Sequence, residues 1–381
     1  MLGINSNINS LVAQQNLNGS QSALSQAITR LSSGKRINSA ADDAAGLAIS
    51  TRMQTQINGL NQGVSNANDG VSMIQTASSA LSSLTSSLQR IRQLAVQAST
   101  GSLSSSDQAA LQKEVSAQIA EVNRIASQTT YNGTNILDGS AGSVTFQVGA
   151  NVGQTISLDL SQSMSAAKIG GGLVQTGQTV GTIAVSLSST GVYTSTGATI
   201  TSINVLSDGK GGYTFTDQNN QAISAAAVSS IFSAGTASGT GTAITSLALS
   251  AGAIPTTGAA SSAAIASVAQ INAINNPPTV SGLDISTVTG ANEAMVSIDN
   301  ALQTVNTLQA ALGAAQNRFT AISTSQQAES TDLSSEQSQI TDANFAQETA
   351  NLSKAQVLQQ AGISVLAQAN SNPQQVLKLL Q

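Results

Sequence analysis

Two adjacent carboxylates, Asp42 and Asp43 in the run INSAADDAAGLAIS (37–50), come nearest in this chain to a spacing that does chemistry. A paired aspartate can hold a metal or share acid/base work. Consecutive helical side chains, however, point about 100° apart, and no other carboxylate lies nearby in sequence. A helix start gives the pair a better role: Ser39 with Asp42 three residues on fits a capping box, and both carboxylates suit the positive end of a helix dipole. The chain has no Cys and no His, so a disulfide scaffold, a thiolate site and the common zinc and general-base chemistry are absent. Asn18, Asn132 and Asn351 open N-glycosylation sequons, but two fall on predicted helices and the matches read as chance. The dense Ser and Thr of residues 171–283 serve either as acceptors for O-linked sugars or simply for solubility.

Composition points away from catalysis. Charged residues are 8% of the 381 and aromatic residues 2%, against a common charged share of about 25%. The net charge of −5, from 13 basic and 18 acidic residues without a basic run, denies a nucleic acid its electrostatic footprint. No stretch of about 18 apolar residues predicts a membrane span, and the N-terminal MLGINSNINSLVAQQ lacks the basic and apolar regions of a secretory signal. Export, if it occurs, takes another route.

The elements that must position whatever function remains divide into three zones. In the first, Ile4, Ile8, Leu11, Leu17, Leu24, Ile28 and Leu31 predict a helix to about Ser32, ended by Gly34. A second helix, from Ala41 to Ser99, carries six heptads: Leu60, Ala67, Ile74, Leu81, Leu88 and Ala95 alternate with Gly63, Gly70, Ala77, Leu84, Ile91 and Ala98. A third helix, N-capped among Ser104, Ser105 and Ser106, folds back along Leu111, Val115, Ile119, Val122 and Ile125. Asn132-Gly133 marks a turn, and VTFQV (144–148) with ISLDL (156–160) reads as a β-hairpin.

The middle zone, 171–283, holds only Asp208, Lys210 and Asp217 as charged residues. TIAVSLSS (182–189), TSINVLS (201–207) and GGYTFTD (211–217) alternate as antiparallel strands. The low-complexity run from Ala222 to Ala269 fits helix, strand or neither. Beyond it, Ile298, Leu302, Val305, Leu308, Leu312, Ala315, Phe319 and Ile322 predict a helix of about fifty residues from Asn292. A last helix, Thr341 to Asn370, puts Leu352, Ala355, Leu358, Gly362, Val365 and Ala369 on one face. Asn372-Pro373 interrupts it before an apolar tail of Val376, Leu377, Leu379 and Leu380.

The fold class is therefore mainly α with a β-containing insert: a discontinuous coiled-coil rod built from both termini, a small β-hairpin and a variable outer domain. In the last helix the flanks around the apolar face are Gln, Ser and Asn, with Lys354 as the one charge of residues 349–372. Burying an amide costs less than burying an unpaired ion, so a helix that meets copies of itself loses charge first. Self-association through the termini is the physical reading; an internal helical core for the heptad seams and flexible ends for the tails are the alternatives.

These residues resemble bacterial flagellin. The motifs are LSSGKRINSAADDAAGLAIS (31–50), LQRIRQLAVQAST (88–100), LGAAQNRF (312–319) and ANFAQETANLSKAQVLQQAGISVLAQAN (343–370). The resemblance covers the first ~160 and last ~95 residues and leaves the middle zone out, as a hypervariable insert would. It implies residues 1–40 with 341–381 innermost around a channel, 41–170 with 284–340 around them, and 171–283 outside. It implies export, unfolded, through the flagellar type III apparatus, and addition at the tip beneath a cap. Its partners would be many copies of the chain, an export chaperone on the C-terminal helix, filament cap and hook-junction proteins, and a vertebrate innate receptor; no cofactor, nucleic acid or membrane is implied.

Subunit packing is expected at Leu60, Ile74, Leu81, Leu88, Ile91, Leu302, Val305, Leu312, Phe319, Leu352, Leu358 and Val365. Receptor recognition by resemblance falls on Arg90, Leu94, Gln97 and Glu114, while Gln93 stands where many members carry Glu. The competing readings are the related hook–filament junction protein and an enzyme hidden in the insert. Three charged residues in that insert do not supply the acid and base that catalysis needs.

Overall fold

The structure, a computed structural model, describes residues 7–194, 196–232, 247–250 and 259–379. Ile4 and Leu380 lie outside them, as do the side chains of Val376, Leu377 and Leu379 and most of the run 233–258. The chain is mainly α with a β-containing insert, and it divides into two compact units.

The first unit comprises residues 1–67, 147–155 and 321–381. Helix α1 (Ile8–Ser33) starts where the Asn7 side chain accepts the Ser10 N–H and ends at Gly34, whose φ of 68° is the left-handed cap the sequence predicts. It packs antiparallel on α7 (Phe345–Leu379): Asn7 Nδ2 donates to the Ala369 carbonyl at 2.8 Å, and at the other end Arg30 meets Glu348 at 3.3 Å. Small residues let the two backbones close. Ala13 and Ala27 are buried on α1, Ala355 and Ala369 on α7, and a Cβ on Gly362 would lie 3.3 Å from Leu17. Past the helix ends, the Arg36 N–H donates to the Thr341 carbonyl and the Ala343 N–H to the Gly34 carbonyl, tying both linkers together.

Helix α2 (Ala44–Ala98) begins three residues later than expected. Asp43, not Ser39, is its cap, accepting the Gly46 N–H at 2.9 Å. Ser39 and Asp42 close the preceding turn instead, Asp42 Oδ2 accepting the N–H groups of Asn38 and Ser39 and the Ser39 hydroxyl. Either carboxylate fits a cap by sequence spacing; the turn consumes one and leaves the other. A second correction concerns α7, which runs through Asn372-Pro373 to Leu379. Proline removes one N–H donor and crowds the carbonyl four residues back, which weakens a helix without ending it.

The second unit comprises residues 68–146 and 156–320. Here the seam of α2 is the core: Gly70, Ile74, Ala77, Leu81, Leu84, Leu88, Ile91, Ala95 and Ala98 are all buried. Helix α3 (Ser105–Gln128) opens with a full capping box between Ser104 and Asp107, and buries Val115, Val122 and Ile125. A tight turn follows, with Asn132 and Gly133 both at positive φ (48° and 78°), joining β1 (Thr130–Tyr131) to β2 (Thr134–Asn135). Strands β3 (Gly142–Gln147) and β4 (Thr155–Leu160) form the expected hairpin.

In the insert, β5 (Thr179–Leu187), β6 (Ile200–Ser207) and β7 (Tyr213–Asp217) make an antiparallel sheet in sequence order. One face carries Ile183, Leu187, Ile203, Val205 and Phe215 into a core. Two helices from the run left unassigned by sequence, α4 (Ala225–Ile231) and α5 (Ala259–Ile274), cover that core. Phe215 stacks on Phe232 with ring centres 4.9 Å apart. Burial in this core pushes the Tyr213 hydroxyl up to about 12. Helix α6 (Val288–Thr341) then begins four residues before Asn292 and buries Ile298, Val305, Leu308, Leu312 and Phe319.

Candidate assembly surface

The carboxylates that suggested chemistry are occupied by structure. Donation from the Asn38 backbone N–H, then from Gln26 and Ser39, holds the Asp42 carboxyl below the usual carboxylate range. Among the described residues no group of three or more metal-ligating side chains comes together, and no helix is long and apolar enough to cross a membrane. What the molecule displays instead is unpartnered apolar surface on its two terminal helices.

On α1, Ile8, Leu11, Val12 and Ile28 are exposed; on α7, Phe345, Val357, Leu358, Ile363 and Val365 are, with Phe345 at 70% and Leu11 at 68%. Single exposed leucines are ordinary, whereas nine large apolar side chains on one helix pair make a candidate interaction surface. That surface carries almost no charge. Residues 8–29 of α1 have none, and along α7 the charged side chains before Lys378 are Glu348 and Lys354. Glu348 is turned inward, 7% exposed, against Arg30.

The face of α7 that meets α1 differs from the one read by spacing. Ala355 and Ala369 are buried and Leu352 and Gly362 half-buried, as expected, but Leu358 and Val365 point outward while Gln359 and Leu366 turn in. A shift of one residue rotates a side chain by about 100°. The close approach at Ala355, Gly362 and Ala369 selects that rotation.

The remaining expected packing residues lie in the chain's own interior. Leu60, Ile74, Leu81, Leu88, Ile91, Val305, Leu312 and Phe319 are buried and Leu302 is half-buried. Glycines of α2 receive the neighbours: the Phe319 ring sits over Gly70, where a Cβ would come within 2.7 Å, and meets Phe146 edge-on at 5.3 Å. In the first unit, a Cβ on Gly63 would overlap the Val148 carbonyl, which also accepts from Gln326, and Asn66 Nδ2 holds the Gln147 carbonyl at 2.7 Å. Spacing in a heptad reports burial, and the identity of the partner has to come from the fold.

Of the residues carried over for receptor recognition, Arg90, Gln97 and Glu114 are at the surface. Arg90 grips Glu114 through Nε at 2.8 Å and Nη2 at 2.5 Å. Leu94 is 1% exposed and belongs to the core. Asn18 and Asn351 lie in helices and Asn132 in the β1–β2 turn.

Charge-poor helices from both ends of the chain, packed on each other with apolar side chains facing out, define a structural subunit whose chemistry is packing. Three descriptions of known sequence families match it: the bacterial flagellin N-terminal helical region over residues 4–142, the flagellin D2 domain over 172–276 and the bacterial flagellin C-terminal helical region over 295–380. The chain is 36% identical to B-type flagellin of Pseudomonas aeruginosa over 497 aligned residues, covering 100% of both. It is 36% identical to flagellin B of Vibrio cholerae over 390, covering 100% of this chain and 99% of that one. The solved structure of FliC from Burkholderia pseudomallei is 67% identical, with a TM-score of 0.60, and covers 65% of this chain and 99% of that chain. The chain belongs to the bacterial flagellin family. It is an extracellular structural subunit of the flagellar filament and not an enzyme, and the family match decides against the hook–filament junction reading.

Proposed function

We propose that this flagellin polymerises by burying the outward apolar faces of α1 and α7 against other copies. The nine exposed apolar side chains on this nearly uncharged helix pair carry the reading. Each such side chain gains roughly 1.5–3 kcal/mol on full burial, and a surface without ions repeats along a polymer without like-charge repulsion. Residues 1–40 with 341–381 then line the inner tube, 41–170 with 284–340 surround it, and 171–283 project outward. Leu358 and Val365 pack between copies and Leu352 holds α7 against α1; Leu60, Ile74, Leu81, Leu88, Ile91, Leu302, Val305, Leu312 and Phe319 stiffen the helices that present them.

The finer steps follow from the family resemblance: export unfolded through the type III apparatus, an export chaperone on the C-terminal helix, and cap and hook-junction proteins at the filament ends. A chain without Cys passes through unfolded with no disulfide to break. Arg90, Gln97 and Glu114 form the part of the receptor-recognition set that a partner can reach.

Seeding purified full-length protein with filament fragments and imaging it tests the proposal. Long fibres are expected from the full chain, and none from a chain lacking residues 342–381 or from the double variant Ile363→Lys, Val365→Lys. Long fibres from the truncated chain would remove the terminal helices from the assembly.

A further inference from the structure

Six residues that carry a side-chain carbonyl precede a glycine: Asn18, Asn58, Asp69, Asn132, Asp138 and Asp208. In such a pair the next backbone nitrogen can reach the side-chain carbonyl carbon, because glycine rotates freely and puts no Cβ in the way. The fold separates the six. Asn18, Asn58 and Asp69 lie inside α1 and α2, where the i→i−4 ladder fixes the backbone and holds the following N–H. Asn58 Oδ1 also accepts from Gln54 at 3.0 Å. Asp138 and Asp208 lie in turns, but their carboxylates are engaged. Asp138 accepts the Ser140 N–H and hydroxyl and the Asn135 amide, and Asp208 accepts the N–H groups of Lys210 and Gly212. A carboxylate is also a poor electrophile beside a neutral amide.

Asn132 differs in each respect. It is exposed in the β1–β2 turn, and among the described residues its side chain has no hydrogen-bond partner. The Gly133 N–H donates to no carbonyl among them, and nothing lies within 4 Å of where a Gly133 Cβ would be. Both residues are at positive φ, so the Asn132 backbone must rotate out of the turn before the Gly133 nitrogen can come behind the carboxamide. What resists that rotation is a ladder of two-residue strands, Thr130–Tyr131 on Thr134–Asn135. So short a hairpin opens locally at little cost.

We propose that Asn132 is a self-modification site that deamidates through a succinimide, with water as the co-reactant. The Gly133 nitrogen gives its proton to hydroxide and bonds to Asn132 Cγ. The Cγ–Nδ2 bond breaks, and Nδ2 leaves as ammonia with a proton from water. A second water opens the ring at either carbonyl. Opening at one restores the backbone with aspartate at 132; opening at the other gives isoaspartate, whose main chain runs through Cβ and lengthens the turn. Either product puts a new carboxylate on a charge-poor chain.

Purified full-length protein, kept folded in mildly alkaline buffer and sampled over time, tests the site by peptide mapping with electron-transfer fragmentation, which tells isoaspartate from aspartate. A synthetic peptide of residues 129–136 reports the same chemistry without the fold. Conversion at residue 132 is expected to accumulate, to quicken as pH rises and to run ahead of Asn58. Asn132→Gly leaves a Gly-Gly turn of the same type, and should lose the isoaspartate signal at this turn while keeping its helical circular dichroism. An intact Asn132 in the protein after the peptide has fully converted, or conversion at Asn58 equal to that at Asn132, overturns the proposal. If Asn132→Gly loses its circular-dichroism signature, the wild-type comparison of residues 132 and 58 decides alone.

Discussion

Gly70 and Gly313 show how one residue type takes opposite roles within the second unit. Glycine in a helix interior costs about 1 kcal/mol relative to alanine. At Gly313 nothing lies within 4 Å of where a Cβ would be, so Gly313→Ala should stabilise the fold by about 0.5–1 kcal/mol. At Gly70 the same methyl would press on the fully buried Phe319 ring, and overpacking of about 1–3 kcal/mol should outweigh the helical gain. Denaturant unfolding of the full chain should therefore show the midpoint rising for Gly313→Ala and falling for Gly70→Ala. Arg30 illustrates the limit of residue-level reading. Its partners, Glu348 on α7 and Asp42 at 3.9 Å in the turn before α2, are joined only by the folded chain, and no local spacing links either pair.

At the scale of elements, the turn before α2 should be acid-sensitive. Asp42 is held below the ordinary carboxylate range, so its contribution is present above the unfolded value and is lost as pH falls through the lower folded value. Protection of the amides of residues 38–42, measured relative to their intrinsic exchange rates, should fall below about pH 4, and Asp42→Asn should abolish that pH dependence while showing less protection at pH 6. Unchanged protection of Asn38 and Ser39 in the variant would remove Asp42 from the turn. Elements were legible wherever one apolar period ran long: all twelve seam positions of α2 are buried, since any partner must cover a continuous apolar stripe. The cap of α2 and the inward face of α7 were not legible, because Ser39 and Asp43, or Leu358 and Gln359, are locally near-equivalent choices. Contacts from elsewhere in the chain decide between them.

For the whole molecule, the insert has a core of its own, from Val180 and Ile183 through Phe215, Phe232 and Ile271, closed by a sheet and two helices. A chain lacking residues 175–280 should therefore keep its helical circular dichroism and still form filaments on seeding; loss of fibres with the helices intact would end the outward placement of the insert. By itself, the sequence determined the helical and strand periods, the near-absence of charge, the lack of a catalytic set and the motifs of its family, because each is local or compositional. The tertiary structure decided which apolar side chains became core and which stayed outside, since burial depends on the partner a helix face meets. That sorting put Leu81 and Phe319 inside and left Leu358, Ile363 and Val365 exposed.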